Sequence, residues 1–246
     1  GTYFSIVSAD SFSVALLIIP AFSLLSSFIG STFTRTGLNA SPAFKLVDEV
    51  WTPSDFVTNT LKKYTDKPVV TVPHCIEPVA SAQYGRKHFN LPEDKFLFLI
   101  MFNSGSVMER KNPLAAIKAF KQAFLKDEAT KNKYKDVGLV IKISESELSA
   151  DDEKIISSIV DKEDNIYFMC GQINKTEVNS LLKDVDVYVS LHRSEGFGLV
   201  MAEAMYLGTP VIATAWSGNT EFMNDHTACG RFYSRSVRQW RMASCG

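Results

Sequence analysis

S-E-G-F-G-L-V-M-A-E-A-M-Y-L-G-T-P-V-I-A-T, from Ser194 to Thr214, joins a glycine-bracketed turn, an apolar run and a second apolar stretch. Apolar spacing from Leu199 to Leu207 predicts a helix, and P-V-I-A-T predicts a buried strand after it. Gly196 and Gly198 permit close backbone approach to a ligand, and the free N–H groups of the helix start suit a diphosphate. Glu195 stands just before the helix and Glu203 in its early turns, so both carboxylates are expected to reach one mouth and accept hydrogen bonds from sugar or ribose hydroxyls. Two acceptors beside an anion cradle describe a nucleotide sugar. The competing local explanation is that both glutamates favour a helix start through its dipole.

Outward from this stretch the pattern alternates. K-F-L-F-L-I-M-F (95–102) is a near-continuous apolar run, as in a strand buried on both faces. P-L-A-A-I-K-A-F-K-Q-A-F (113–124) has helical spacing, V-G-L-V-I-K-I (137–143) reads as a strand and D-D-E-K-I-I-S-S-I-V (151–160) as a helix. N-I-Y-F-M (165–169) is a strand, T-E-V-N-S-L-L (176–182) a helix opened by Asn174, and D-V-Y-V-S-L (186–191) a strand. Such alternation implies a parallel, doubly wound α/β sheet, whose ligands bind at the carboxyl ends of the strands. The segments from Asn103 to Lys111, Ser190 to Gly198 and Thr214 to Glu221 all fall at such ends. Upstream, E-V-W-T-P-S (49–54) reads as a short strand, Ser54 as the cap of a helix over 55–64, and P-V-V-T-V-P (68–73) as another extended run.

Several ordered motifs carry a family resemblance: D-E-V-W-T-P-S-D-F-V, P-V-V-T-V-P-H-C-I-E-P, R-K-N-P, S-L-H-R-S-E-G-F-G, and two glutamates separated by seven residues before G-T-P-V-I-A-T. The chain resembles the retaining glycosyltransferases of the GT-B fold, of the group 1 or family 4 type, from about Ser41 to Cys229. The resemblance implies a doubly wound nucleotide-sugar domain over 86–229, preceded by a remnant of an acceptor-side, Rossmann-like domain with its linker over 1–85. By this likeness Glu195 would contact the donor sugar, Glu203 the ribose, and the backbone of Gly196, Phe197 and Gly198 the sugar–phosphate region. Lys111 would neutralise the leaving diphosphate, where charge grows as the glycosyl–phosphate bond breaks. Arg110 has a fork suited to phosphate. Relatives carry an arginine or glycine-arginine pair before that lysine, where this chain has Gly105 and Ser106, and Arg193 is the candidate replacement cation. Ser217, Gly218 and Asn219 correspond to a loop near the donor, although ordinary turn chemistry explains them equally well.

The resemblance implies that transfer proceeds on one face of the sugar, with the leaving phosphate helping to deprotonate the acceptor. Two flanking carboxylates of the glycosidase kind are then not required. The implied partners are a nucleotide-sugar donor and a glycan or lipid-linked acceptor, with no metal and no cofactor beyond the donor. Acceptor-binding residues are expected upstream of this apparently truncated chain. D-V-D at 184–186 joins a helix to a buried strand, unlike the chelating motif of the other large glycosyltransferase fold. His74 and His192 read as hydrogen-bonded structural residues. A non-catalytic nucleotide-binding module, an inactive gene fragment, a sugar-nucleotide epimerase and a phosphorylase remain the alternatives.

Composition narrows the setting. With 246 residues, 46% of them hydrophobic, the chain can bury one good core and part of another. Its 26 basic and 27 acidic residues give no global attraction to nucleic acid. Cys75, Cys170, Cys229 and Cys245 have neither zinc nor disulfide spacing, which fits a reducing cytosol. A lipid-linked acceptor would bring the chain to the inner face of a membrane as a peripheral protein. Residues 11–34 lack charge and raise a membrane-span reading, opposed by Pro20, many serines and the absence of flanking basic residues. Beyond Cys229 the text changes, with four of the chain's eight arginines and no acid in 230–246. Back-translated with one allowed codon set and read one nucleotide later, this tail becomes VDFTLVPFGNGEWHP, similar to relatives, so a frameshift is expected there. A weaker case of the same kind applies to R-T-G-L-N-A-S near residue 40.

Overall fold

The computed structural model describes residues 16–18, 44, 47–103, 108–144, 154, 156–158, 163–224 and 227. The expectations for the tail over 230–246, for Gly105 and Ser106, and for most of the uncharged run over 11–34 lie outside these residues. The chain divides into two compact units. The first comprises the described residues within Gly1–Cys75, Ser194–Gly198 and Trp216–Thr227, and the second those within Ile76–Arg193 and Leu199–Ala215.

In the first unit β1 (Leu16–Ile18), β2 (Glu49–Thr52) and β3 (Val69–Thr71) form a parallel sheet in that order. Three residues of the uncharged run are therefore extended and pair with β2. Helix α1 (Asp55–Leu61) starts at Ser54, whose extended backbone lets its hydroxyl accept from the Val57 N–H. The helix buries Val57 and Leu61 against Val47, Val50 and Val69. Thr52, Thr58 and Thr71 link their hydroxyls across β2, α1 and β3, which satisfies polar groups inside this small core.

The second unit holds a five-stranded parallel sheet in the order β6-β5-β4-β7-β8. Its strands are β4 (Phe96–Phe102), β5 (Val137–Ile143), β6 (Ile166–Cys170), β7 (Val187–Ser190) and β8 (Val211–Ala213). β5 is buried along nearly its whole length although Lys142 interrupts its apolar text, whereas β4, the run expected to be buried on both faces, leaves Phe96 exposed and Phe98 and Met101 half-buried, and β6 at the edge alternates buried and open positions. The helices named in this unit are α2 (Met108–Lys111), α3 (Pro113–Phe124), α4 (Glu128–Lys133), α5 (Lys175–Asp184) and α6 (Leu199–Tyr206). Lys154 and residues 156–158 are also helical, and Ile156 enters the core with Ile117, Phe120, Ile141 and Ile143. α5 opens with a capping box, Asn174 accepting from the Glu177 N–H while Glu177 accepts from the Asn174 N–H.

The D-V-D segment has a structural occupation. Asp186 accepts from the Leu97 N–H at 2.7 Å and from Arg86 at 2.8 Å. Arg86 also donates to the Asp184 and Lys95 carbonyls, so one guanidinium ties the starts of β4 and β7 together. Burial raises the pKa of Asp184 above its ordinary value, against the pull of Arg86.

Candidate functional site

Chain order reverses in the second sheet between β4 and β7: β5 and β6 lie to one side of β4, while β7 and β8 lie beyond it on the other. The carboxyl ends of two strands that diverge in this way define the crevice where open α/β sheets bind ligands. The segments leaving β4 and β7 are joined there. The Arg193 N–H donates to the Arg110 carbonyl at 2.8 Å, and the Asn112 amide donates to the Leu191 carbonyl at 2.9 Å. Asn112 has φ 53°, a left-handed backbone that lets α3 start at Pro113 immediately after α2 ends at Lys111. Arg110, Lys111 and Arg193 are thus carried on paired backbone at the switch point. His192 is buried, with Nδ1 against the Ser190 hydroxyl at 3.0 Å, as a structural histidine would be.

Glu203 lies within α6, a helix otherwise made of Leu, Val, Met, Ala and Tyr. It is 5% exposed among buried Met201, Ala202 and Ala204. An ionisable group in such surroundings needs a partner. Lys175, the first residue of α5, donates to Oε1 at 2.6 Å. Oε2 is buried and has no protein hydrogen-bond partner among the described residues. The far end of α6 is fixed by Gly208 at φ 86° and by Thr209, whose hydroxyl donates to the Leu182 carbonyl at 2.6 Å. These contacts set the register of α6 on α5, and so of Glu203 on Lys175. Local sequence marks Lys175 only weakly. Its one signal is a cation in the first turn of a helix, where the dipole disfavours it.

Glu195, Gly196, Phe197, Ser217, Gly218 and Asn219 belong to the first unit, where two loops lie backbone to backbone. The Gly218 N–H donates to the Glu195 carbonyl at 2.9 Å, and the Glu195 N–H donates to the Ser217 hydroxyl at 2.7 Å. Ser217 holds φ 77° and ψ −150°, a region that side chains other than glycine rarely occupy. Strain of this kind persists where surrounding bonds over-determine it, and Ser217 is buried with its hydroxyl engaged. Gly198 has φ 94°, so the turn into α6 needs a glycine. Gly196 is approached by the chain itself: its carbonyl accepts from the Ser54 hydroxyl at 2.5 Å, and Gly218 presses on its backbone. Phe197 is buried against His74, with centroids 5.2 Å apart, and against Phe222 at 5.1 Å. Burial lowers the pKa of His74 below its ordinary value. Asn219 is fully buried.

Ser54 therefore does two things, capping α1 and holding the Gly196 carbonyl. Ser54→Ala should cost about 1–2 kcal/mol of stability, since it removes a cap and leaves a buried carbonyl without its donor. Urea denaturation measures it. A loss no greater than that of an ordinary exposed serine would show that the Gly196 bond contributes nothing.

The sequence-derived candidates are thus distributed as two sets: Arg110, Lys111, Arg193 and Glu203 in the second unit, with Glu195, Gly196, Phe197, Gly198, Ser217, Gly218 and Asn219 in the first. The family model described as glycosyl transferases group 1 matches residues 85–239. Among solved structures, sucrose-phosphate synthase from Thermosynechococcus elongatus is similar at 23% identity and TM-score 0.56, over 72% of this chain and 43% of that one. The pneumococcal O-GlcNAc transferase GtfA, solved with UDP and GlcNAc, is similar at 20% identity and TM-score 0.55, over 86% of this chain and 37% of that one. WaaG, a glycosyltransferase involved in lipopolysaccharide biosynthesis, is similar at 16% identity and TM-score 0.51, over 79% of this chain and 56% of that one. The chain spans less than half the length of the first two structures. No curated protein sequence matches it. Together with the parallel sheets, these likenesses establish an α/β fold of the GT-B type.

Proposed function

Because the chain belongs to the group 1 glycosyl transferases, we propose that it moves a sugar from a nucleotide-diphosphate sugar to an acceptor hydroxyl with retention of anomeric configuration. The observation that carries this reading is Glu203. A carboxylate sits inside an apolar helix, one oxygen held by Lys175 and the other buried without a protein partner among the described residues. A ribose hydroxyl supplies the donor that such an oxygen requires.

The remaining roles follow the chemistry of each group. Lys111, with Arg110 and Arg193 on the adjoining segments at the sheet's switch point, neutralises the diphosphate as it leaves. Glu195 accepts from donor-sugar hydroxyls, and the backbone of Gly196, Phe197 and Gly198 addresses the sugar–phosphate region. The loop at Ser217, Gly218 and Asn219 fixes that backbone. In the transfer the bond between the anomeric carbon and the phosphate oxygen breaks, and the acceptor oxygen bonds to the same face of the sugar. The acceptor proton passes to the leaving phosphate, so retention needs no covalent glycosyl-enzyme. The neighbours solved with UDP and GlcNAc or described in lipopolysaccharide biosynthesis favour a glycan or lipid-linked acceptor of the cell envelope. A lipid-linked acceptor would place the chain at the cytoplasmic face of a membrane, as a peripheral partner. None of its described helices is long and apolar enough to cross one.

The reading is tested by incubating the chain with a panel of nucleotide sugars and glycan acceptors and following the anomeric proton by NMR. A glycoside with the donor's anomeric configuration is expected. An inverted glycoside would refute retention, and an isomerised donor or a sugar phosphate would instead identify an epimerase or a phosphorylase. Donor binding with no product would mark a non-catalytic module.

A further inference from the structure

We propose that Lys175 is a positioning residue for Glu203, pinning one carboxylate oxygen so that the other is presented to the donor ribose, and that this pairing sets a preference for ribonucleotides over deoxyribonucleotides. The inference rests on the reading of Glu203 as the ribose acceptor. Its physical ground is the pair itself. Lys175 occupies the first position of α5, where the positive end of the helix disfavours a cation. The helix has its own acid in the first turn, Glu177, but that carboxylate is committed to the Asn174 N–H and to His88 at 2.9 Å. The lysine bonds instead to α6, reaching Glu203 Oε1 at 2.6 Å.

The two partners differ sharply in exposure: the Lys175 side chain is 57% exposed and that of Glu203 6%. The ammonium therefore keeps most of its hydration while the carboxylate has lost its own, so the pair escapes much of the desolvation cost of two buried ions. A charge-assisted bond to one oxygen fixes the carboxylate plane. With Oε1 fixed, the direction of the buried Oε2 is fixed too. A single oriented acceptor discriminates by the hydroxyl it meets, because a ligand lacking that hydroxyl leaves the oxygen unpaired. Without Lys175 the carboxylate can turn, and the discrimination falls even where phosphate binding survives.

The test measures dissociation constants of the full chain for UDP, ADP and GDP and for their 2′,3′-dideoxy counterparts. Unmutated chain, Glu203→Gln, Lys175→Met, Lys175→Arg and the Lys175→Met/Glu203→Gln double variant are compared on the tightest pair. The ribonucleotide should bind about tenfold or more tighter than its dideoxy form in the unmutated chain, and Glu203→Gln should nearly erase that ratio. Lys175→Met should reduce the ratio roughly threefold to tenfold through ribonucleotide binding alone, leaving the dideoxy form unchanged. Lys175→Arg should restore it, and Lys175→Met should have no further effect once Glu203 is Gln. Equal weakening of both ligands by Lys175→Met, or no change in either while Glu203→Gln collapses the ratio, would overturn the role of Lys175 and leave that of Glu203 standing. No ribose preference in the unmutated chain, or a preference that survives Glu203→Gln, would overturn both.

Discussion

Gly218→Ala should destabilise the protein by about 3 kcal/mol, at the upper end of overpacking costs, because the added methyl meets backbone rather than a side chain. A Cβ built at this position would run into the Gly196 carbonyl oxygen and carbon and lie 2.7 Å from the Phe197 nitrogen. A rotamer change cannot relieve such contacts. The loops would have to separate, losing the Gly218 N–H to Glu195 carbonyl bond and the Ser217 hydroxyl on the Glu195 N–H. For a chain of this size the melting temperature should fall by roughly 6–12 °C. Gly208→Ala is the control. Its Cβ meets nothing within 4 Å, although φ 86° adds strain, so its cost should stay near 1 kcal/mol. If Gly218→Ala melts within a degree or two of the unmutated chain, Gly218 does not pack on the Gly196 backbone. The same substitution should abolish donor-sugar recognition, since the loops carry Glu195 and the Gly196–Gly198 backbone.

Lys111→Ala should lower glycosyl transfer by about a hundredfold or more, the scale seen when one stabiliser of developing charge is removed. The reason is geometric as well as electrostatic. Lys111 ends α2, the next residue takes a left-handed backbone, and the neighbouring Arg110 carbonyl is held by the Arg193 N–H. The cation is thus delivered from a fixed turn at the switch point of the sheet, where a diphosphate leaving group would develop charge. Diphosphate donors should lose about 1.5–3 kcal/mol of affinity while free sugar binding changes little, because an ammonium addresses phosphate rather than hydroxyls. Competition calorimetry with a nucleoside diphosphate and a free sugar separates the two. Equal losses would make Lys111 a structural residue, and an unchanged rate would remove it from the chemistry.

Much of the second unit is legible from text because its strands are mostly apolar runs and its longer helices periodic. The helix predicted over 113–124 and the strand over 137–143 coincide with α3 and β5. Asn174 and Ser54 are recognisable as caps because their oxygens answer a need that every helix start has. α4 escapes notice since it buries no residue and offers no apolar stripe, its start marked only by the Asp127 side chain on the Thr130 N–H. α2 is a single turn, too short for periodicity to register. The pair of Lys175 with Glu203 joins residues on different helices, and no local pattern forecasts a contact of that separation. Gly218 reads as ordinary turn chemistry in sequence, yet its lack of a side chain is demanded by a backbone more than twenty residues away.

Calorimetry of the best-binding nucleotide sugar on the unmutated chain and on Glu203→Ala asks whether Glu203 receives the ribose of a nucleotide-sugar donor. Thermal-shift screening selects that donor, since a ligand that binds only the folded state raises its stability. One nucleoside-diphosphate sugar should bind, with a loss of roughly 1.5–3 kcal/mol in a Glu203→Ala chain that remains folded. Unchanged affinity in that variant, or no stabilisation by any nucleotide sugar, would mean that Glu203 receives no ribose.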